Sequence, residues 1–167
     1  PQIDAPLGTN HGIASLAGVL HANGHELDLM HVSEKYQPVP SSAELIDYIK
    51  RTKPGLIGFS AMSQQYDWIV GMSKAIRLEM PEFVQVIGGV HCTMVPDEVH
   101  KSKLFDYVCV GEGDYALLEL MDALENGKPT QMLANFRSWI GDVPVVNPVA
   151  PFPDLDKLPP LDYNVFD

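Results

Sequence analysis

The sequence predicts an α/β domain, a mostly parallel sheet with helices on both faces, and three observations carry that prediction. Apolar runs of strand length alternate with amphipathic runs of helix length along most of the 167 residues. Three of those apolar runs end in glycines and small polar residues: Gly55 to Ser63, Val84 to Thr93 and Phe105 to Asp114. Strands joined through helices run parallel by right-handed crossovers, so the three exits share one edge of the sheet. In open α/β sheets ligands sit beyond the carboxyl ends of the strands, which makes that edge the expected site.

The chain is long enough for one domain with a real core, and its 46% hydrophobic content is ordinary for a globular protein. Eleven basic residues against 22 acidic ones leave a net charge of −11, which disfavours nucleic acid or an anionic membrane surface as partner. No apolar run approaches the roughly 20 residues that span a bilayer, and the start lacks a signal peptide's basic and apolar regions, so a cytoplasmic location is expected. Cys92 and Cys109 have no second pair beside them, so cysteine alone builds neither a zinc site nor an iron–sulfur cluster here. Cys109 reads as a packing residue within an apolar strand, and Cys92 as a small space-filler in the ligand loop.

Taken in order, Pro1 to Thr9 is extended and rich in turn formers. Ile13, Leu16, Ala17 and Leu20 then fall at helical spacing, closed by Asn23-Gly24. His25 to Val32 alternates as a strand near a sheet edge would. His25, Asp28 and His31 suggest metal ligands, but period-two alternation puts Asp28 on the opposite face, so they read as exposed strand residues. Glu34 to Pro40 is a loop. Ser41 with Glu44 opens a helix carrying Leu45, Ile46 and Ile49, and Lys53-Pro54-Gly55 ends it. Leu56 to Phe59 is uniformly apolar, the pattern of a central parallel strand covered on both faces.

A long helix over Gln65 to Met80 repeats Trp68, Met72, Ile76 and Met80 as a core stripe. Pro81 breaks it, the strand Val84 to Ile87 follows, and a short helix over Val95 to Lys101 enters through Pro96. Asp106 to Val110 is the next strand. Glu112 to Leu124 places Leu117, Leu118, Met121 and Leu124 on one face, and Asn126-Gly127-Lys128-Pro129 stops it. One or two short strands are expected near Asn135 to Ile140 and Pro144 to Val146. Pro148 to Asp167 holds five prolines and no core stripe, so it reads as a linker, leaving 1–147 as the folded domain. A doubly wound sheet opens with a strand before its first helix, and Pro1 to Pro6 is a poor one; the first strand is missing or truncated, or another segment fills its place.

These pieces together resemble one family. Pro6-Leu7-Gly8 with Leu16-Ala17, Asn23-Gly24-His25-Glu26-Leu27, Lys53-Pro54-Gly55-Leu56-Ile57-Gly58-Phe59-Ser60, Gly88-Gly89-Val90-His91-Cys92-Thr93 with Pro96, and Gly111-Glu112-Gly113-Asp114 resemble the cobalamin-binding domain of cobalamin-dependent radical S-adenosylmethionine enzymes. The tail Lys157-Leu158-Pro159-Pro160-Leu161-Asp162-Tyr163 is similar to the lead-in to their catalytic barrel. The resemblance implies a Rossmann-like, flavodoxin-type three-layer fold with cobalamin at the strand exits. Leu7, Gly8, Ser60, Ala61, Met62, Ser63, Tyr66, Gly88, Gly89, His91, Thr93, Gly111, Glu112 and Gly113 would then form its site. The glycines would admit the corrin ring or its tail at close range, the hydroxyls would meet its amide fringe, and Met62 and Tyr66 would cover its face.

The resemblance further implies a carboxyl-terminal radical S-adenosylmethionine domain in the same polypeptide, holding a 4Fe-4S cluster and S-adenosylmethionine. The Cys-x-x-x-Cys-x-x-Cys motif for that cluster is absent here, so this chain would not catalyse alone. Cobalamin would carry a methyl group in the full protein, or assist a radical rearrangement. One departure stands out: other cobalamin proteins of this fold carry Asp-x-His-x-x-Gly, whose histidine binds cobalt, and His11 in Thr9-Asn10-His11-Gly12 lacks that aspartate. Two other readings remain: a docking module of the same fold that holds no cobalamin, and a flavin or nucleotide domain. The second has neither Gly-x-Gly-x-x-Gly nor a phosphate-binding Gly-Lys loop to support it.

Overall fold

A computed structural model describes residues 10–33 and 38–166. Helix α1 spans His11–Ala22, capped by the Asn10 side chain, which accepts from the Ile13 amide at 3.2 Å. Helix α2, Ser42–Thr52, opens on the expected serine: Ser41 and Glu44 satisfy each other's backbone amides in a capping box. Strand β1 (Leu56–Ser60), helix α3 (Tyr66–Glu79) and strand β2 (Val84–Gly88) follow, and then two short helices, α4 (Val90–Met94) and α5 (Pro96–Lys101). Strand β3 (Tyr107–Cys109), helix α6 (Asp114–Glu125) and strands β4 (Phe136–Ile140) and β5 (Val143–Val146) complete the order.

One five-stranded sheet runs β1-β2-β3-β4-β5. Strands β1, β2 and β3 pair in parallel, with Ser60 opposite Gly88, while the β4–β5 hairpin joins antiparallel to β3. Both faces are covered. Ile87 and Val108 pack with Tyr66, Ile69, Cys92 and Val99 under α3 to α5, whereas Val86 and Cys109 pack with Ala116, Leu120 and Phe136 under α6. Successive strand residues point to opposite faces, so β2 and β3 feed two cores at once. A third cluster joins α2 and α3 over β1 through Leu45, Ile46, Ile49, Ile57, Ile76 and Met80.

Several expectations need correction. Residues His25 to Val32 form no strand; the segment is irregular, and among the described residues β1 is a sheet edge instead of a central strand, with Gly58 exposed. Alternating side chains signal a half-buried extended segment, but only a neighbouring backbone can make it a strand. His25 is not wet either. Its ring is buried, with Nε2 3.2 Å from Asp122 and Nδ1 3.3 Å from Glu125, both on α6. The two carboxylates approach opposite ring nitrogens and clamp the ring against α6.

The helix faces also shift. Helix α3 buries Tyr66, Ile69, Ser73 and Ile76, leaving Trp68 and Met72 half-buried, and α6 buries Ala116, Leu120 and Ala123. Leu120 is the innermost residue of α6, with Ala116 and Ala123 beside it, and α1 packs against the same helix. The expected first strand falls on residues outside the described ones, as does 34–37 of the expected loop.

The proline-rich tail runs back over the domain. The Asp162 amide donates to the Ala14 carbonyl at 2.9 Å, and the Asp162 carboxylate meets His21 Nδ1 at 2.7 Å. Tyr115 Oη donates to the Lys157 carbonyl at 3.3 Å. At Gly18 an added Cβ would sit 2.3 Å from the Pro160 carbonyl oxygen, so the tail seats on α1 where only glycine leaves room. Proline content signals extended chain and says nothing about whether that chain docks.

Candidate functional site

The carboxyl ends of β1, β2 and β3 lie together, as the sequence predicts, and are tied to one another. At the first two exits the Ala61 amide donates to the Gly88 carbonyl at 2.9 Å and the His91 amide donates to the Ala61 carbonyl at 3.1 Å. Gly89 turns the chain between these bonds with φ of 95°, and a Cβ there would lie 2.8 Å from Ala61 O and 2.9 Å from Ala61 N. Glycine is therefore required at 89 by the fold before any ligand is considered.

Thr93 links the second exit to the third. It lies in α4 and not in a loop, because α4 starts at Val90, directly after the glycine pair. Its hydroxyl accepts from the Gly111 amide at 3.1 Å and donates to the Gly89 carbonyl at 3.3 Å. Gly111, with φ of 84°, then leads through Glu112, whose side chain is exposed, to Gly113 and α6. Asp114, buried at the start of α6, accepts from the Ser15 hydroxyl at 2.5 Å and locks α6 to α1.

His91 is only 8% exposed. Its ring lies 4.2 Å from that of Tyr66, its Nδ1 shares a hydrogen bond with Ser63 Oγ at 3.1 Å, and its buried Nε2 has no partner. Ser63, Tyr66 and His91 thus form one packed unit joining the β1 exit to α4. Burial pushes the Tyr66 hydroxyl above its ordinary range, with smaller contributions from nearby acids. Burial, then the neighbouring Cys109, pushes the Cys92 thiol up to about 12, and burial pushes Cys109 to about 12 as well, so neither supplies a thiolate nucleophile. Both cysteines are packing residues, as expected.

Beside the glycine pair the surface is apolar. Met62 is 36% exposed, Val90 64% and Met94 72%. Val90 and Met94, one turn apart on α4, were not among the sequence-predicted residues; an apolar pair exposed at i and i+4 on a helix leaving the site edge was the available signal. Ser60, at the end of β1, is exposed on the same side. His11 opens α1 and its Nδ1 lies 2.5 Å from Tyr163 Oη of the tail. Leu7 and Gly8 lie outside the described residues.

A flat apolar ligand with a polar fringe suits this edge: exposed Met62, Val90 and Met94 would meet its face, and Ser60 would meet its rim. The sequence profile of the B12 binding domain matches residues 5–121. The chain belongs to the B12-binding domain family. As a cobalamin-binding domain it shares 30% identity with the cytidylyl-2-hydroxyethylphosphonate methyltransferase of Streptomyces wedmorensis, over 83% of this chain and 28% of that protein. It shares 27% with the anaerobic magnesium-protoporphyrin IX monomethyl ester cyclase of Rubrivivax gelatinosus, over 70% of this chain and 21% of the cyclase. The chain thus spans about a quarter of the length of these relatives.

Solved structures share the fold. The cobalamin-dependent S-adenosylmethionine radical enzyme OxsB, with aqua-cobalamin and S-adenosylmethionine bound, superposes with a TM-score of 0.76 at 15% identity, covering 91% of this chain and 21% of OxsB. The radical S-adenosylmethionine methyltransferase TsrM of Kitasatospora setae, with cobalamin and a 4Fe-4S cluster bound, gives 0.73 at 18%, covering 95% of this chain and 30% of TsrM. The three-layer Rossmann-like α/β architecture is therefore as expected, with an antiparallel hairpin added at one edge. Among the described residues no helix is long and apolar enough to cross a membrane.

Proposed function

We propose that cobalamin binds at the exits of β1, β2 and β3, and that the chain serves as the cobalamin domain of a larger, cytoplasmic radical S-adenosylmethionine enzyme. The observation that carries the site is the exposed apolar set Met62, Val90 and Met94 beside a glycine turn, in a domain of a cobalamin-binding family. Bound there, cobalamin would supply a carrier for a methyl group or assist a radical rearrangement. The protein's own part is to bind and orient it. Val90, Met94 and Met62 exclude water from the corrin face, Ser60 and Glu112 meet the amide fringe, and Gly111 to Gly113 bring the amino end of α6 toward the same rim.

The two histidines nearest the strand exits each have a partner of their own at Nδ1. His11 is engaged by Tyr163, and His91 is packed on Tyr66 with its Nδ1 held by Ser63. The apolar edge and hydrogen bonds would hold the cofactor. The 4Fe-4S cluster, S-adenosylmethionine and the reaction belong to a further domain of the same polypeptide, toward which residues 148–167 lead. The similarity to a methyltransferase over most of this chain supports methyl transfer as the full protein's chemistry.

The test is an absorbance titration of the native polypeptide with hydroxocobalamin. A saturable spectral change that Val90→Asp with Met94→Asp abolishes, in a protein that still melts cooperatively, supports the site. A flat titration of the folded native protein overturns it.

A further inference from the structure

The Gly111 to Gly113 loop is held by a residue that no motif marks. Asn135 immediately precedes β4, is only 4% exposed, and has φ of 69°, a left-handed conformation that asparagine tolerates better than most residues. All of its hydrogen-bonding groups are engaged. Its backbone carbonyl accepts from the Val110 amide at 2.8 Å, and its side-chain Nδ2 donates to the Glu112 carbonyl at 2.7 Å, so two bonds clasp either side of Gly111. Its backbone amide donates to the Pro148 carbonyl at 2.9 Å and its Oδ1 accepts from the Ala150 amide at 2.7 Å.

Between those two tail residues, Val149 Cγ1 lies 3.0 Å from where a Cβ on Gly111 would be. The loop therefore sits between Thr93 on one side and Asn135 with the tail on the other. A loop with two glycines has many conformations available, and it needs such ties to present one of them to a ligand.

We propose that Asn135 is a positioning residue of the cobalamin site, holding the Gly111 to Gly113 loop in its binding conformation and joining it to the tail. The inference rests on the cobalamin reading above. It touches no ligand itself; it acts through the Glu112 carbonyl and the Ala150 amide.

Two variants of the native polypeptide test it, by hydroxocobalamin titration and by amide exchange at Ala150. In Asn135→Asp one oxygen still accepts from Ala150, but the other faces the Glu112 carbonyl as a charged acceptor. Burial beside that carbonyl raises the new carboxyl's pKa, so affinity should fall about tenfold near pH 8 and recover progressively as the pH is lowered toward about 4, where a protonated carboxyl can donate again. Asn135→Gly keeps the positive φ without strain and loses both side-chain bonds. It should bind about tenfold more weakly at either pH and exchange faster at Ala150. Wild-type affinity in Asn135→Gly, or a deficit in Asn135→Asp that acid does not reduce, overturns the proposal. If the wild type itself takes up no corrinoid, the cobalamin reading fails first; Ala150 exchange then still reports whether Asn135 ties loop to tail.

Discussion

The two glycine turns at the edge of the sheet are built in opposite ways. At Gly88-Gly89 backbone meets backbone: Ala61 bonds to Gly88 and to His91, and the missing Cβ of Gly89 is what lets the two chains approach. At Gly111 to Gly113 side chains do the holding, from Thr93 in α4 and from Asn135 at the start of β4. The first turn rests on the close approach of the Gly89 and Ala61 backbones and admits no substitute. The second rests on side-chain hydrogen bonds and can be loosened by degrees, which makes it the place where affinity for a cofactor can be tuned.

Substitutions can break or sharpen that contrast. Gly89→Ala should have the largest effect, roughly 3 kcal/mol lost in a denaturant melt, since it combines a backbone conformation open almost only to glycine with overlap on Ala61. A loss below about 1 kcal/mol would mean that the first turn is as adjustable as the second. Gly18→Ala comes next: the clash with Pro160 should lift the tail from α1, seen as faster exchange at the Asp162 amide. Because Asn135 holds the tail's other end, cobalamin affinity should change by less than about threefold.

Thr93→Val should cost about 1 kcal/mol, by removing the acceptor for the Gly111 amide, with cobalamin binding weakened a few-fold. An unchanged titration would leave Asn135 as the sole side-chain support of that loop. The smallest effect concerns pH. The hydrogen bond from His21, followed by that from the Asn164 amide, holds the half-buried Asp162 carboxyl below its ordinary range. A depressed folded value stabilises the docked tail above the unfolded carboxyl's pKa of about 3.9 and is lost as pH falls through the lower folded value. Exchange at Asp162 should rise in that acid window in wild type and show no such step in Asp162→Asn.

Features encoded within one turn or one strand were legible. Ser41 with Glu44 marked the start of α2, Pro96 marked α5, and the run from Val84 into Gly88-Gly89 marked β2 and its exit. Features that depend on what lies opposite were not. His25 looked exposed because alternation cannot see Asp122 and Glu125, about a hundred positions further on and side by side on α6. Leu56 to Phe59 looked central, yet among the described residues it is an edge, because apolar side chains report covered faces and not paired edges. Asn135 read only as the start of a short strand, since neither its positive φ nor its four bonds leave a mark at its own position.

What the sequence determined by itself is the alternation of helix and strand, the glycine turns and hence the edge at which a ligand would sit, because periodicity, capping and chain reversal are local physics. The family, too, is visible in that order of short motifs. Only the tertiary structure decided how the exits are tied together, that Val90 and Met94 stand exposed beside them, and that the proline-rich tail lies back along α1 against Gly18. Those depend on contacts between residues far apart in the chain, and a contact is a property of two positions that neither one carries alone.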